Sequence, residues 1–184
     1  IFEQERIDRL QGSSYLDKTE YVVLPGIGFS QNFSGVKFFG GVHRGYTPPS
    51  SGALKVLNFG ENSDITGLDL KSEKSWNKEV GLRGTVSILN FEAALFHLGI
   101  ENLVAAGRGT AFKNLGKVSN FGIELNGKLR FSNISIFLPN LNFSYTNLST
   151  EIVDGEIASN VKAGGAIADL KGNELPYAPK NTLN

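Results

Sequence analysis

The chain has 184 residues, and its 18 basic and 18 acidic side chains leave no net charge. That length suffices for one ordinary domain with a sizeable core. The balanced charge argues against a nucleic-acid partner held by a broad basic surface, and the absence of cysteine excludes both a disulfide framework and a thiolate metal site.

Methionine is absent even at position 1, so the chain is expected to be an internal stretch of a longer protein. No apolar run approaches the roughly 18 residues that a transmembrane helix needs. A membrane role would have to come from strands. Abundant glycine (22) and phenylalanine (13) favour β structure and long loops.

Period-two alternation predicts strands along the chain. Residues 1–8 read as a strand interior. Over 21–31, Tyr21, Val23, Pro25, Ile27 and Phe29 share one parity. Over 36–46, Val36, Phe38, Val42 and Tyr46 oppose Lys37, Phe39, Gly41, His43 and Gly45. Over 76–88, Trp76, Val80, Leu82, Val86 and Ile88 share a face on which Lys78 is the charged exception. Residues 91–104 form a weaker strand with an ambiguous face. Over 121–131, Phe121, Ile123, Leu125, Leu129 and Phe131 oppose Gly122, Glu124, Asn126, Lys128 and Arg130. Residues 134–145 alternate with a parity switch at Pro139-Asn140, which predicts a β-bulge there. A last strand opens near Leu175. The total is about eight strands in one domain.

Connection lengths alternate. Short ones are expected at 32–35, 87–90 and 132–133, and long polar ones at 11–20, 47–74, 105–117 and 146–172. Short turns on one side and long loops on the other is the layout of an antiparallel up-and-down transmembrane β-barrel. Aromatics at strand ends (Tyr21, Tyr46, Trp76, Phe121, Phe131 and Tyr145) fit interfacial girdles. A soluble β-sandwich also alternates, so parity alone leaves both architectures open.

Four segments carry a family resemblance. Val23-Leu24-Pro25-Gly26-Ile27-Gly28 leads into Gly40-Gly41-Val42-His43-Arg44-Gly45-Tyr46-Thr47-Pro48-Pro49. Next come Ser72-Glu73-Lys74-Ser75-Trp76-Asn77-Lys78-Glu79-Val80-Gly81-Leu82-Arg83, then Asn102-Leu103 with Asn114-Leu115-Gly116-Lys117 and Gly122-Ile123-Glu124. Leu175-Pro176-Tyr177-Ala178-Pro179-Lys180 is the fourth. In this order they resemble the barrel of TonB-dependent outer-membrane receptors over roughly residues 23–184, with the His43-to-Pro49 version similar to receptors of the ferric-dicitrate type. The resemblance implies that residues 1–184 form about eight strands of a larger barrel of about 22, within the range known for such barrels. It implies a place in the bacterial outer membrane and uptake of a ferric siderophore or similar iron chelate. It also implies contact with the TonB complex through a plug region; no plug domain or TonB box is recognisable in the chain.

Among the residues it singles out, His43 and Arg44 are candidate ligand-binding cations near the extracellular mouth. Glu79 with Arg83, and Glu124 with Arg130, are polar wall residues that either pair or simply solvate the lumen. His97 has no second histidine beside it for a metal site. Asp64, Asp69, Glu151 and Asp154 lack calcium-loop spacing, and Gly107-Arg108-Gly109 is too short for a phosphate loop. The sequons at Asn32, Asn133, Asn142 and Asn147 read as incidental. No nucleophile–base set stands out, so an enzyme is not expected. The alternatives are a complete eight-stranded outer-membrane barrel with an adhesin or structural role, and a secreted β-sandwich binding module. Pairing of the first strand with the last would support the small barrel.

Overall fold

A computed structural model of the chain describes residues 2–7, 14–49, 70–106, 112–158 and 167–184. Two antiparallel strands, β1 (Phe2–Ile7) and β2 (Ser14–Glu20), form a ribbon. The main sheet contains β3 (Gly26–Phe33), β4 (Val36–Thr47), β5 (Glu73–Val86) and β6 (Leu89–Glu101). Short β7 (Val104–Ala106) and β8 (Phe112–Asn114) pair with each other above it. The sheet continues with β9 (Gly116–Leu129) and the long β10 (Leu141–Ala158), whose far edge takes β11 (Ile167–Asp169) and β12 (Asn181–Leu183). Every strand pair is antiparallel, and the order β3-β4-β5-β6-β9-β10 is an up-and-down meander.

The connections explain that order. Ser34 and Gly35, both at positive φ, close the β3–β4 hairpin in two residues. Their left-handed backbone matches the right-handed twist of the flanking strands. Ser87, also at positive φ, begins the two-residue β5–β6 turn. The β9–β10 connection lies at this same end and holds a 3₁₀ turn, Phe131–Asn133. The β4–β5 and β6–β9 connections and the β10–β11 connection leave from the opposite end. The two-residue turns therefore lie at one end, but the β9–β10 connection there spans residues 130–140 and not the short 132–133 expected, so connection lengths are only partly segregated.

Register defines two faces, because directly opposed residues share a side of the sheet. One row runs Gly40, Val80, Leu95, Ile123 and Asn147, and the next runs Phe38, Leu82, Ala93, Leu125 and Tyr145. This face is apolar over its middle. Apart from Val153 at a bulge, every exposed large hydrophobic residue carried by a strand of the sheet lies on it, among them Ile27, Phe29, Val80, Leu95 and Phe121. The opposite face is more polar toward the short turns, where one row runs Lys37, Arg83, Glu92, Asn126 and Ser144, while its other rows also carry Phe96, Leu98 and Val118. No second sheet packs on the apolar face among the described residues, so the two-layer core of a sandwich is missing. The described strands do not close on themselves either: β1 pairs with β2, and β12 with β10.

Among the described residues, five cross-strand pairs set a phenylalanine ring against a glycine: Phe29 with Gly40, Phe39 with Gly81, Gly84 with Phe91, Phe96 with Gly122 and Gly127 with Phe143. In each pair the phenyl ring occupies space that a β-carbon on the glycine would enter. A ring laid over a glycine covers backbone that the missing side chain leaves bare, which is how sheets tolerate glycine.

Several sequence expectations need correction. The strand over 134–145 begins only at Leu141, and Ile134 to Asn140 belong to a turn, so no bulge lies at Pro139-Asn140. The bulge is instead in β10, between Ile152 and Asp154. The supposed loop over 146–172 is strand as far as Ala158, and that over 11–20 contains β2. The 21–31 strand starts at Gly26, and the weak 91–104 strand is a regular 13-residue β6. Asp64, Asp69 and Gly107-Arg108-Gly109 lie outside the described residues.

Candidate functional site

The polar face offers a concave surface of about 730 Å³ near the short turns. Lys37, Arg83, Glu92, Asn126 and Lys128 line it. Arg83 Nη1 lies 3.7 Å from Glu92 Oε2, and its guanidinium sits 5.5 Å from the centre of the Phe39 ring. The aromatic ring thus orients an arginine whose side chain is about half exposed. Thr85 donates to Asn90 Oδ1 at 3.0 Å below this row. Three cations against one carboxylate make this end of the face attractive to anionic groups.

Glu79 and Arg83 share the polar face, as expected, but Arg83 pairs across to Glu92. Glu124 stands on the same face, in the row of Phe39, Gly81 and Thr146. Arg130 lies just beyond the end of β9, where its amide donates to the Ile88 carbonyl at 2.8 Å. Six residues of strand separate it from Glu124, roughly 20 Å, so the two are not neighbours. Sequence reasoning missed Lys37, Glu92 and Lys128. The parity of Lys37 and Lys128 was available, whereas Glu92 became legible only once the register of β6 was fixed.

His43 and Arg44 are adjacent in sequence and therefore point to opposite faces. His43 lies on the polar face opposite Asn77, whose Nδ2 is 3.4 Å from His43 Nε2. Arg44 lies on the other face, with Nη2 3.4 Å from Glu101 Oε2 and its guanidinium 5.2 Å from the centre of the Trp76 ring. The structure does not bring the two together. Asn120, in the row of His43 and Asn77, has a buried Oδ1 that accepts no hydrogen bond among the described residues.

At the long-loop end the quoted motifs form a knot. Asn114 Oδ1 accepts from the Lys71 amide at 2.9 Å. Its Nδ2 donates to the Lys71 carbonyl at 2.8 Å and the Asn102 carbonyl at 2.7 Å. Asn102 Nδ2 donates to the Ser72 carbonyl at 3.3 Å, and the Val104 amide to Glu73 Oε1 at 2.7 Å. Gly116 has φ near +122°, and a β-carbon there would strike the Asp154 carbonyl. Leu70, Leu115, Val118 and Ile152, the most deeply buried apolar side chains apart from Ala94 among the described residues, gather at this end. The motif thus ties the bases of two loops together.

Among the described residues no group of three or more His, Asp or Glu is placed to hold a metal ion. The sheet is apolar over the middle of one face and carries the Lys37–Arg83–Glu92 row on the other.

Comparison with known proteins agrees with this. No curated protein matches the chain in sequence. Among solved structures, the ferric yersiniabactin uptake receptor FyuA from Yersinia pestis superposes with a TM-score of 0.56 at 20% identity, over 87% of this chain and 21% of that one. The copper transporter OprC superposes with a TM-score of 0.51 at 14% identity, over 68% of this chain and 20% of that one. The chain spans about a fifth of the length of each. At these identities the likeness concerns the fold. The model of the family described as TonB dependent receptor-like, beta-barrel, matches residues 3–184. By its sequence and its antiparallel up-and-down strands, the chain belongs to the TonB-dependent receptor β-barrel family.

Proposed function

We propose that the chain is a segment of the wall of an outer-membrane TonB-dependent receptor that takes up a ferric siderophore or an iron–citrate chelate. The observation that carries the membrane reading is the division of the sheet: exposed large hydrophobics collect over the middle of one face, and the Lys37–Arg83–Glu92 row lies on the other. In an outer-membrane barrel the apolar face meets lipid and the polar face lines the lumen. The short turns then lie on the periplasmic side and the long loops outside. A domain filling the lumen would meet the Lys37–Arg83–Glu92 row, and a donor from it would satisfy Asn120 Oδ1. Energy would reach that domain through the TonB complex.

An iron chelate is favoured over free copper because the described residues offer cations on the polar face and no cluster of metal ligands. Of the two candidate ligand-binding residues, His43 is the one presented to the lumen, while Arg44 braces the outer wall. The test is growth of a strain lacking the gene on single iron chelates as sole iron source, beside measurement of its cellular copper. Loss of growth on one anionic chelate, restored by the gene and weakened by His43→Ala, supports the reading. Unimpaired growth on every chelate with lowered copper would refute it.

A further inference from the structure

Lys78 is the one charged residue between Trp76 and Val86 on the apolar side of β5, and its surroundings give it a purpose. Its row runs Val42, Lys78, His97 and Phe121. A side-chain cation facing hydrocarbon is destabilising unless it reaches the interface or a partner. No ion pair of Lys78 occurs among the described residues. Trp76 stands two residues further up β5, roughly 7 Å away, at the level expected of an interfacial girdle.

Two grooves on this face meet at Val42, Lys78 and His97. The upper, about 520 Å³, contains Lys117, Ser119 and Glu101, and His97 Nε2 lies 3.0 Å from Ser119 Oγ. The lower, about 530 Å³, is lined by apolar side chains such as Ile27, Val80, Leu95 and Phe121. Together they form one furrow with polar groups toward the long loops and apolar groups toward the short turns.

The upper half carries a surplus of one cation, and Lys78 has no ion pair among the described residues. Between β4 and β9 the outward rows there carry Arg44, Lys74, Lys78 and Lys117 against Glu101, which Arg44 already engages. On β10, Glu151 stands directly opposite Ser119 and Asp154 directly opposite Lys117, so the four cations face three carboxylates in all.

We propose that Lys78, His97, Lys117 and Ser119 hold the phosphate of an outer-leaflet lipid, whose acyl chains lie along the apolar half of the furrow. The polarity of the furrow runs in the same sense as that of a lipid in the outer leaflet. The ammonium groups and the hydroxyl supply charge-assisted hydrogen bonds, and the apolar half supplies area. This rests on the reading of that face as lipid-exposed.

The test uses the intact receptor, as its gene encodes it, purified in detergent. Native mass spectrometry follows retention of added dioleoyl phosphatidic acid against dioleoyl phosphatidylcholine. The wild type should retain the phosphatidic acid about tenfold better, and Lys78→Ala with Lys117→Ala should bring the two lipids to parity. Lys78→Arg should keep the preference. Equal retention by the wild type, or an unchanged preference in the double variant, overturns the proposal. Heat-dependent electrophoretic mobility confirms that each variant is folded. A lipid-soluble diazirine in vesicles tests the underlying reading separately. Labelling at Leu95 and Phe121 without lipid preference sinks the lipid site alone, whereas no labelling there sinks the membrane-facing assignment and the site with it.

Discussion

Replacing Asn114 with alanine should loosen the long-loop end while leaving the wall intact. The amide makes three hydrogen bonds, one accepted from the Lys71 amide and two donated to the Lys71 and Asn102 carbonyls. A net hydrogen bond contributes about 0.5–1.5 kcal/mol, and the two at Lys71 are exposed enough for water to replace them in part. The total is therefore about 2 kcal/mol for the three. If that energy is lost only locally, opening of the Lys71–Ser72 and Asn102–Val104 segments rises about 30-fold, since 1.4 kcal/mol is a factor of ten. Hydrogen exchange read by mass spectrometry measures this directly. Peptides covering residues 70–74 and 102–104 should lose protection by that factor, while the middle of the β5–β6 pairing, at Lys78 and His97, should not change. Asn114→Asp keeps the acceptor for the Lys71 amide and loses both donors, so its effect should be intermediate. Unchanged exchange at residues 70–74 in Asn114→Ala would refute the role given to the knot.

Gly127→Ala places a β-carbon in the Phe143 ring, and overpacking of this kind typically costs 1–3 kcal/mol, so it should lower the urea midpoint. Adding Phe143→Ala should recover part of that loss, with a coupling of about 1–2 kcal/mol in the double-mutant cycle; strict additivity would show that ring and glycine act independently. By contrast, Glu92→Gln removes an ion pair 3.7 Å long between side chains roughly half exposed, and should change unfolding stability by less than about 1 kcal/mol. A larger loss in urea titrations followed by Trp76 fluorescence would mean that the Arg83–Glu92 contact is far better shielded than its exposure implies.

The faces of the sheet were legible in the sequence because an antiparallel ladder enforces a period of two on every strand it contains. Val36 to Tyr46 and Phe121 to Leu129 keep their predicted sides, and Lys78 stands out on the page as it does in the fold. The same rule separates His43 from Arg44. What the sequence could not reveal was cooperation between distant residues. Asn114 binds Lys71 across 43 positions, and nothing local distinguishes it from an ordinary turn asparagine. The upper half of β10 resembles a loop in sequence because Asn147, Ser149 and Glu151 are polar on the side that is apolar lower down. Such residues suit a strand that rises past the apolar band toward water, and polarity alone made them resemble a connection. Ile134, Ile136 and Leu138 erred the other way, since three alternating apolar residues in an exposed turn imitate a strand.

The knot around Asn114 also bears on how such a wall diversifies. It fixes the point where the chain returns at Leu70 and Lys71, and it ties that point to the neighbouring loop by backbone carbonyls and amides rather than by the side chains of the intervening residues. Loop length itself adds little free energy, about 0.6 kcal/mol per doubling. The segment between Pro49 and Leu70 can therefore be exchanged for another of different length and composition while the ladder beneath keeps its alignment. On the proposed reading of the chain as receptor wall, recognition at the outer mouth becomes a replaceable part, and variation there can alter what is captured without disturbing the ladder beneath.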